Sequence, residues 1–527
     1  MNRSKCEKCK EWVPARRVER DGKLYLVKDC PTCGPTEAYI SVSASRSQIK
    51  RDLDPGFKAN EDCCANCHEC TQHRVPTYAF VDVTNRCNLN CPMCADSVPG
   101  HGFVFEPPIE HLEKVLEHLA QFEPKPTVAL FGGEPTVRRD VLDIVKLSAK
   151  KYGFKTRVLT NGLKLADEAF TREILKAKAH LLISYDGANP KTYHELRNSA
   201  KALELKKKGI ENVRKVRRSK ISYVHCLAWG LNDKALPEFL EFLHPQRDIL
   251  HGVYLMPLVQ TWDTSDFAYK PQRMTTEDVE MLLAGCFPGY KVEFVSLGLA
   301  SEFNTLMKYL HQEALPWRGC HPNCESFYAL VSDGTRYWPI EHYLKHGFPA
   351  LGQAMLGAER KLAAREERWK TSAIGRFFGA LRLRNFLLRA RAFPTLAGVL
   401  FRHVRLGRLF KGRGPMKLLH ALAYPFDLAF ARKAYRAKRR HLNVDTALPV
   451  VILPLEDDSI IETERLSRCP CVHVYYDPRL DAVNYVPVCS WRLHNKKILG
   501  ELAKYYAERR AAASPQPEPA PSTTGTA

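Results

Sequence analysis

Apolar positions along this chain follow two rhythms. Between residues 77 and 260, short β-branched runs alternate with longer stretches whose apolar residues recur every three or four positions. The short runs predict strands over 78–83, 127–131, 154–159, 180–185, 221–226 and 252–256. The longer stretches predict helices over 109–121, 140–151, 167–178, 191–208 and 234–242. Strands alternating with helices imply a parallel sheet with right-handed crossovers. Six such units make an α/β fold, an open or partial (β/α)6 barrel, with reactive groups at the carboxyl ends of its strands. Outside this block the rhythm changes. Residues 1–76 show little helical periodicity and 275–350 look mixed. Residues 360–440 read as helical, broken at Pro394, at Gly412 to Pro415 and at Pro425. A last apolar run over 448–453 leads into a compact segment holding Cys469, Cys471 and Cys489.

Composition bounds this picture. The chain has 527 residues, 45% apolar and 26% charged, enough for real cores, which excludes a wholly disordered or fibrous protein. Its length and texture divide it into a Cys-rich module (1–76), the barrel (77–260), a mixed region (261–350), a basic helical insertion (351–447), a Cys-bearing segment (448–500) and a helix end with a disordered tail (501–527). Met1 to Lys5 run straight into Cys6 without an apolar stretch, so no signal peptide is expected. Without a run of 18 apolar residues, no bilayer-spanning helix is expected either. The 18 cysteines are grouped rather than spread, which suits thiolates holding metal in a reducing compartment.

Cys6, Cys9, Cys30 and Cys33 form two CxxC pairs. Each pair makes one knuckle of a tetrahedral four-sulfur site for a single zinc or iron ion, and spacing does not choose between them. Such a metal would staple a module too small to build much core. Cys87, Cys91 and Cys94 follow the first barrel strand at C-x3-C-x2-C spacing. Three thiolates can hold three irons of a cubane while leaving the fourth open to a ligand. A zinc knuckle lacking one ligand is the plainer alternative. Cys63, Cys67 and Cys70 repeat that spacing, and Cys320, Cys324, Cys469, Cys471 and Cys489 lie further on. So many clustered thiols exceed what burial explains and suffice for two auxiliary [4Fe–4S] clusters. One would use Cys63, Cys67 and Cys70 with Cys286 or Cys469; the other would use Cys320, Cys324, Cys471 and Cys489. Cys226, isolated, reads as a small buried apolar residue.

The C-x3-C-x2-C motif resembles the signature of the radical S-adenosylmethionine (SAM) superfamily. Gly132-Gly133-Glu134-Pro135 after the second strand, Thr160-Asn161-Gly162 after the third and Ser184-Tyr185-Asp186-Gly187 after the fourth agree with it. The resemblance implies that Cys87, Cys91 and Cys94 ligate a catalytic [4Fe–4S] cluster whose open iron chelates SAM. It also implies that Met93 lies near the adenine and that Gly132, Gly133, Glu134, Pro135, Thr160, Asn161, Ser184 and Asp186 position the cofactor. A carboxylate at Glu134 suits the ammonium and sulfonium of SAM. Cleavage of SAM would yield a radical able to take hydrogen from an unreactive carbon. The wider layout, including Cys320-His321-Pro322-Asn323-Cys324 and Arg468 to Tyr475, looks like the archaeal tetraether lipid synthases, a group first tied to methylation of a hydroxymethylpterin. That resemblance implies joining of lipid chain ends by a C–C bond. The alternative is radical methylation or other modification of a small soluble substrate such as a hydroxymethylpterin. An electron donor such as flavodoxin or ferredoxin is implied as well.

Charge adds a partner. Of the formal net charge of +21, residues 360–440 supply +19, from 22 Lys/Arg less three acids. Within 373–392, Ile374, Phe377, Phe378, Leu381, Leu388 and Ala392 share a helical stripe with arginines on its flanks. Leu418, Leu419 and Leu422 continue the theme. This is the pattern of a helix lying in a membrane interface, so an anionic membrane surface and a lipid substrate are the expected partners, placing the protein on the cytoplasmic face. An ordinary helical subdomain is the plainer reading. Nucleic acid is not expected, given the leucine and phenylalanine among the arginines.

Overall fold

A computed structural model describes residues 2–54, 56, 76–96, 98–216, 219–259, 269–309, 319–372, 384–430 and 434–513. The amino-terminal strands β1 (Arg3–Lys5), β2 (Trp12–Arg20), β3 (Lys23–Cys30) and β4 (Gly34–Ser41) form one antiparallel sheet in sequence order. Helix Ala44–Asp52 follows, opened by Ser43, whose hydroxyl accepts from the Arg46 N–H. Arg17 pairs with Glu462, and Lys28 donates to the Ser459 carbonyl, so this sheet is docked on the carboxyl-terminal part of the chain.

Six parallel strands follow: β5 (Tyr78–Thr84), β6 (Thr127–Gly132), β7 (Thr156–Thr160), β8 (His180–Ser184), β9 (Ile221–Leu227) and β10 (Leu250–Pro257). Each pairs with the next, and helices cross between them, giving the expected partial (β/α)6 barrel. The alternation along β5 shows how the sequence builds it. Ala79, Val81 and Val83 pack in the main core with Leu112, Leu116 and Leu119 of helix Ile109–Leu119, while Tyr78 packs in a separate inner cluster with Ala129, Leu182 and Tyr254. Period-two alternation puts successive side chains on opposite faces, and here both faces are covered. Each such leucine or valine taken fully from water contributes about 1.5–3 kcal/mol.

The later strands extend the sheet. β11 (Val295–Ser296), β12 (Ser326–Ser332) and β13 (Tyr337–Pro339) precede β14 (Thr446–Ile452), which pairs parallel to β10. At the other edge β15 (Cys471–Asp477) pairs parallel to β5, and β16 (Ala482–Pro487) pairs antiparallel to β15. The sheet order is β11-β12-β14-β10-β9-β8-β7-β6-β5-β15-β16, with β13 beside β12.

Two helical expectations change. The stretch 191–208 is two helices, Pro190–Arg197 and Ala202–Lys215, divided at Asn198, which adopts φ 52°. Asparagine tolerates this left-handed conformation better than most residues. Pro394 and Pro425 lie inside helices Arg384–His403 and Pro415–Phe430 rather than ending them. Pro425 is buried, so packing offsets the hydrogen bond it removes. The break at Gly412 to Pro415 stands. Of the stripe expected over 373–392, Ile374, Phe377, Phe378 and Leu381 lie outside the described residues; Ala392 is buried.

Candidate active site and metal centres

The loop after β5 carries Cys87, Cys91 and Cys94. Asn85 fixes its start: its amide donates to the Phe103 carbonyl, its oxygen accepts from the Phe105 N–H, and its backbone N–H donates to the Phe105 carbonyl. The end of β6 then presses against this loop. Gly133 and Glu134 donate N–H bonds to the Thr84 and Arg86 carbonyls, both at 2.8 Å. A Cβ on Gly132 would meet the Thr84 oxygen at 2.1 Å, and one on Gly133 the Arg86 oxygen at 2.4 Å. Only glycine permits that approach. Cys91 contributes to the electrostatics of both Cys87 and Cys94, so the loop keeps the three thiols in one neighbourhood. Burial, together with Glu134 beside Cys87 and Asp96 beside Cys94, pushes these thiols up to about 11 and about 12. Cys87 and Cys94 would give up their protons on binding a metal, as thiols do to iron. Three thiols on one loop, with glycine backbone beside them, fit a three-ligand cluster.

The strand ends are laced together behind that loop. Glu134 is 1% exposed, and its Oε1 accepts from Thr136 N (3.1 Å), Thr136 Oγ1 (2.6 Å) and Thr160 Oγ1 (2.8 Å). Its Oε2 accepts from Asn161 N. This carboxylate, expected at the ammonium of SAM, spends its bonds fixing the end of β7. Pro135 opens the short helix Pro135–Val137 that Glu134 caps. Asn161 in turn donates to Asn88 Oδ1 in the Cys loop at 2.7 Å. Asp186 is buried. Its desolvation would raise its pKa, but the Arg197 guanidinium holds it below the usual carboxylate value. Met93 packs beside Leu196, Ala228 and Leu258, with the buried Cys226 in the same apolar cluster.

Lys206 escaped the sequence reading. Its Nζ donates to the carbonyls of Asn161 and Ser184 and to Ser184 Oγ, joining the ends of β7 and β8. Burial, then Arg197, lowers it to about 8. The signal was its place in the apolar rhythm Leu203, Lys206, Ile210, Val213, where a lysine is out of pattern.

Cys6, Cys9, Cys30 and Cys33 stand together, with all four sulfurs within 4.8 Å of one another. That spacing fits one tetrahedrally bound ion. A second gathering joins Cys320 and Cys324, before β12, to Cys469, Cys471 and Cys489. All but Cys324 are buried, and Cys324 interacts electrostatically with the other four. Arg465 Nη2 donates to Cys324 Sγ at 3.6 Å. The Cys320 contact, with burial opposing it and Arg465 aiding it, lowers the Cys324 thiol to about 6. Cys286 stands apart; its thiol donates to the Leu282 carbonyl, and burial alone raises it to about 11. Cys63, Cys67 and Cys70 lie outside the described residues. Cys471 pairs with Tyr78 at the amino end of β5, whereas Cys87 follows the carboxyl end.

Residues 81–243, which include the Cys87–Cys94 loop, Gly132 to Pro135, Asn161, Asp186 and Lys206, match the radical SAM superfamily. The chain carries a radical SAM domain. Residues 2–42 match the HMPTM N-terminal zinc ribbon domain, in keeping with the four-cysteine site. The chain is 28% identical over 358 residues to the 7,8-dihydro-6-hydroxymethylpterin dimethyltransferase of Methanocaldococcus jannaschii, covering 65% of this chain and 70% of that one. It is 30% identical over 186 residues to the GTP 3',8-cyclase of Aeromonas hydrophila, covering 34% of this chain. It spans 54% of that cyclase's length. Among solved structures, SuiB of Streptococcus suis bound to S-adenosylmethionine matches at 12% identity and a TM-score of 0.32, over 54% of this chain and 69% of that one. A radical SAM domain makes the protein an enzyme and implies a [4Fe–4S] cluster and SAM.

Proposed function

We propose that this radical SAM enzyme functionalises, by methylation or a related step, an unactivated carbon of a small soluble substrate resembling a hydroxymethylpterin. The observation that carries this is the 28% identity to the hydroxymethylpterin dimethyltransferase over 70% of that protein's length. The [4Fe–4S] cluster and SAM supply the hydrogen-abstracting radical when bound. Cys87, Cys91 and Cys94 would hold the cluster, and the backbone of Gly132 and Gly133 would line the methionine end of SAM. Glu134, Asn161 and Lys206 act one layer back: they fix the ends of β6, β7 and β8, so the loops that orient SAM keep their spacing. Met93 and its apolar neighbours would exclude water from the adenosyl side. The carboxyl-terminal thiols would hold an auxiliary cluster, and a small redox protein such as ferredoxin or flavodoxin would deliver the electron.

The test is anaerobic turnover of the reconstituted protein with SAM and 7,8-dihydro-6-hydroxymethylpterin. Deoxyadenosine together with the mass gain of one or two methyl groups supports the reading; deoxyadenosine without pterin product overturns the substrate. Replacing Cys87, Cys91 and Cys94 with alanine should abolish deoxyadenosine while leaving the metal of the amino-terminal four-cysteine site in place.

A second reading is C–C joining of lipid chain ends. What favours it is a leucine-rich helix, Pro415–Phe430, that turns apolar side chains outward amid arginines. Lipids extracted from cells with and without the gene test it: chains of doubled length found only with the gene support it, and unchanged lipids refute it.

A further inference from the structure

Helix Pro415–Phe430 is amphipathic in the inverted sense. On its outer side Met416, Leu418, Leu419 and Leu422 are 51%, 51%, 58% and 45% exposed. Its inner side holds Ala421 against Phe410 and Leu442, and Leu428 against Ala437. The two charged residues of the helix, Lys417 and Asp427, are half-buried and each has a partner. Lys417 donates to the Gly407 carbonyl at 2.7 Å, and the Asp427 carboxylate accepts from Arg440 at 2.7 Å and His441 at 2.8 Å. A water-facing helix would show the opposite arrangement. Scattered single leucines need no explanation, but a contiguous apolar face does.

The surroundings identify the occupant. Between Arg402 and Arg440 the sequence has 12 Lys/Arg and a single acid, Asp427, which is already engaged by Arg440 and His441. Arg413 before the helix is exposed, as are Arg436, Lys438, Arg439 and Arg440 on the adjoining helix Ala434–His441. A protein partner could cover the leucines; a rim so one-sided in charge matches a surface that is apolar below and anionic above. The helix has 16 residues, about 24 Å at 1.5 Å per residue, too short to cross a bilayer but suited to lying in its interface. No helix among the described residues is long and apolar enough to span one.

We propose that helix Pro415–Phe430 seats the enzyme on an anionic lipid bilayer, its outward side chains among the acyl chains and the flanking arginines at the headgroups. The proposal stands apart from the choice of substrate and places the active site near a membrane in either case.

Co-sedimentation of the full chain with vesicles tests it, using phosphatidylcholine alone or mixed with phosphatidylglycerol. The protein should sediment with the mixed vesicles and much less with the neutral ones. Leu419→Glu with Leu422→Glu should weaken binding about a hundredfold or more, since two buried leucines are lost. Arg436→Gln with Arg439→Gln should weaken it about tenfold or more and flatten its dependence on phosphatidylglycerol. Unchanged binding by the leucine variant overturns the proposal. So does concentration-dependent self-association of the parent that the leucine variant abolishes without any vesicle binding, because the face would then meet a second copy. Salt-sensitive RNA binding without vesicle binding overturns it as well. Deoxyadenosine formation by the leucine variant serves as the control for folding, so loss of docking and loss of radical chemistry are read separately.

Discussion

Arg197 grips Asp186 through two nitrogens, Nε at 2.8 Å and Nη2 at 3.1 Å, in a pair with little access to water. The carboxylate also accepts from the Cys226 N–H at 3.1 Å, so the pair anchors the end of β8 to β9. Removing one partner of a buried pair leaves the other charge uncompensated, at a cost of about 3–5 kcal/mol. Arg197→Met should therefore lower the denaturation midpoint sharply, and adding Asp186→Asn should restore part of it. A single variant as stable as the parent would show that water already reaches the carboxylate.

The approach of β6 to the cysteine loop sets a second expectation. Gly133→Ala puts a methyl group 2.4 Å from the Arg86 carbonyl, a backbone atom with no freedom to yield. The loop must shift, so the variant should retain much less iron after anaerobic reconstitution and form little deoxyadenosine. Iron at the parental level would mean that the loop adapts. Gly230, with nothing within 4 Å of its added Cβ but a φ of +73°, should cost stability without affecting iron when changed to alanine.

The four sulfurs of the amino-terminal sheet offer a metal-specific test. Cys9→Ser should lose one metal ion per chain and expose residues 2–42 to limited proteolysis, while leaving the iron held by the barrel. Elemental analysis before and after a chelator would also decide between zinc and iron.

Acid should loosen the long helix Phe348–Thr371. Burial opposes ionisation of Glu366, yet bonds from Lys308 (2.7 Å), Tyr309 (2.8 Å) and Lys370 (3.1 Å) hold its pKa down to about 2. A depressed carboxylate adds stability that is full above its unfolded value of about 4.3 and is lost as pH falls toward the folded value. Glu366→Gln should flatten the decline between about pH 4.3 and 2 and should destabilise the protein by about 1–3 kcal/mol near neutrality. Parallel pH–stability curves for parent and variant would remove Glu366 from the account.

Much of this architecture is legible in the residues because a parallel sheet covered on both faces writes each strand as a nearly continuous apolar run. Val81, Leu130, Val158, Leu181 and Tyr223 mark five of the six barrel strands in that way. The motifs were legible for a different reason: Gly132 and Gly133 admit no side chain where two backbones touch. What resisted reading depends on direction or on a single residue. Asn198 divides a helix by one left-handed turn. Lys206 sits where the rhythm calls for an apolar residue, and nothing in one sequence says that two strand ends offer it carbonyls. The leucines of Pro415–Phe430 declare a face but not whether it turns inward; Phe410, Ala421 and Leu442 occupy the inner side and leave the leucines out.

The pairing of Cys471 with Tyr78 makes β5 a ruler. From Tyr78 to Thr84 the strand advances six residues, about 20 Å at 3.3 Å per residue, before the loop of Cys87, Cys91 and Cys94 begins. A bicyclic ring held at one end of that distance cannot also touch the sulfurs at the other. An extended hydrocarbon tail can, so whether a substrate meets both thiol groups in the same turnover is a question of its length before it is one of its chemistry.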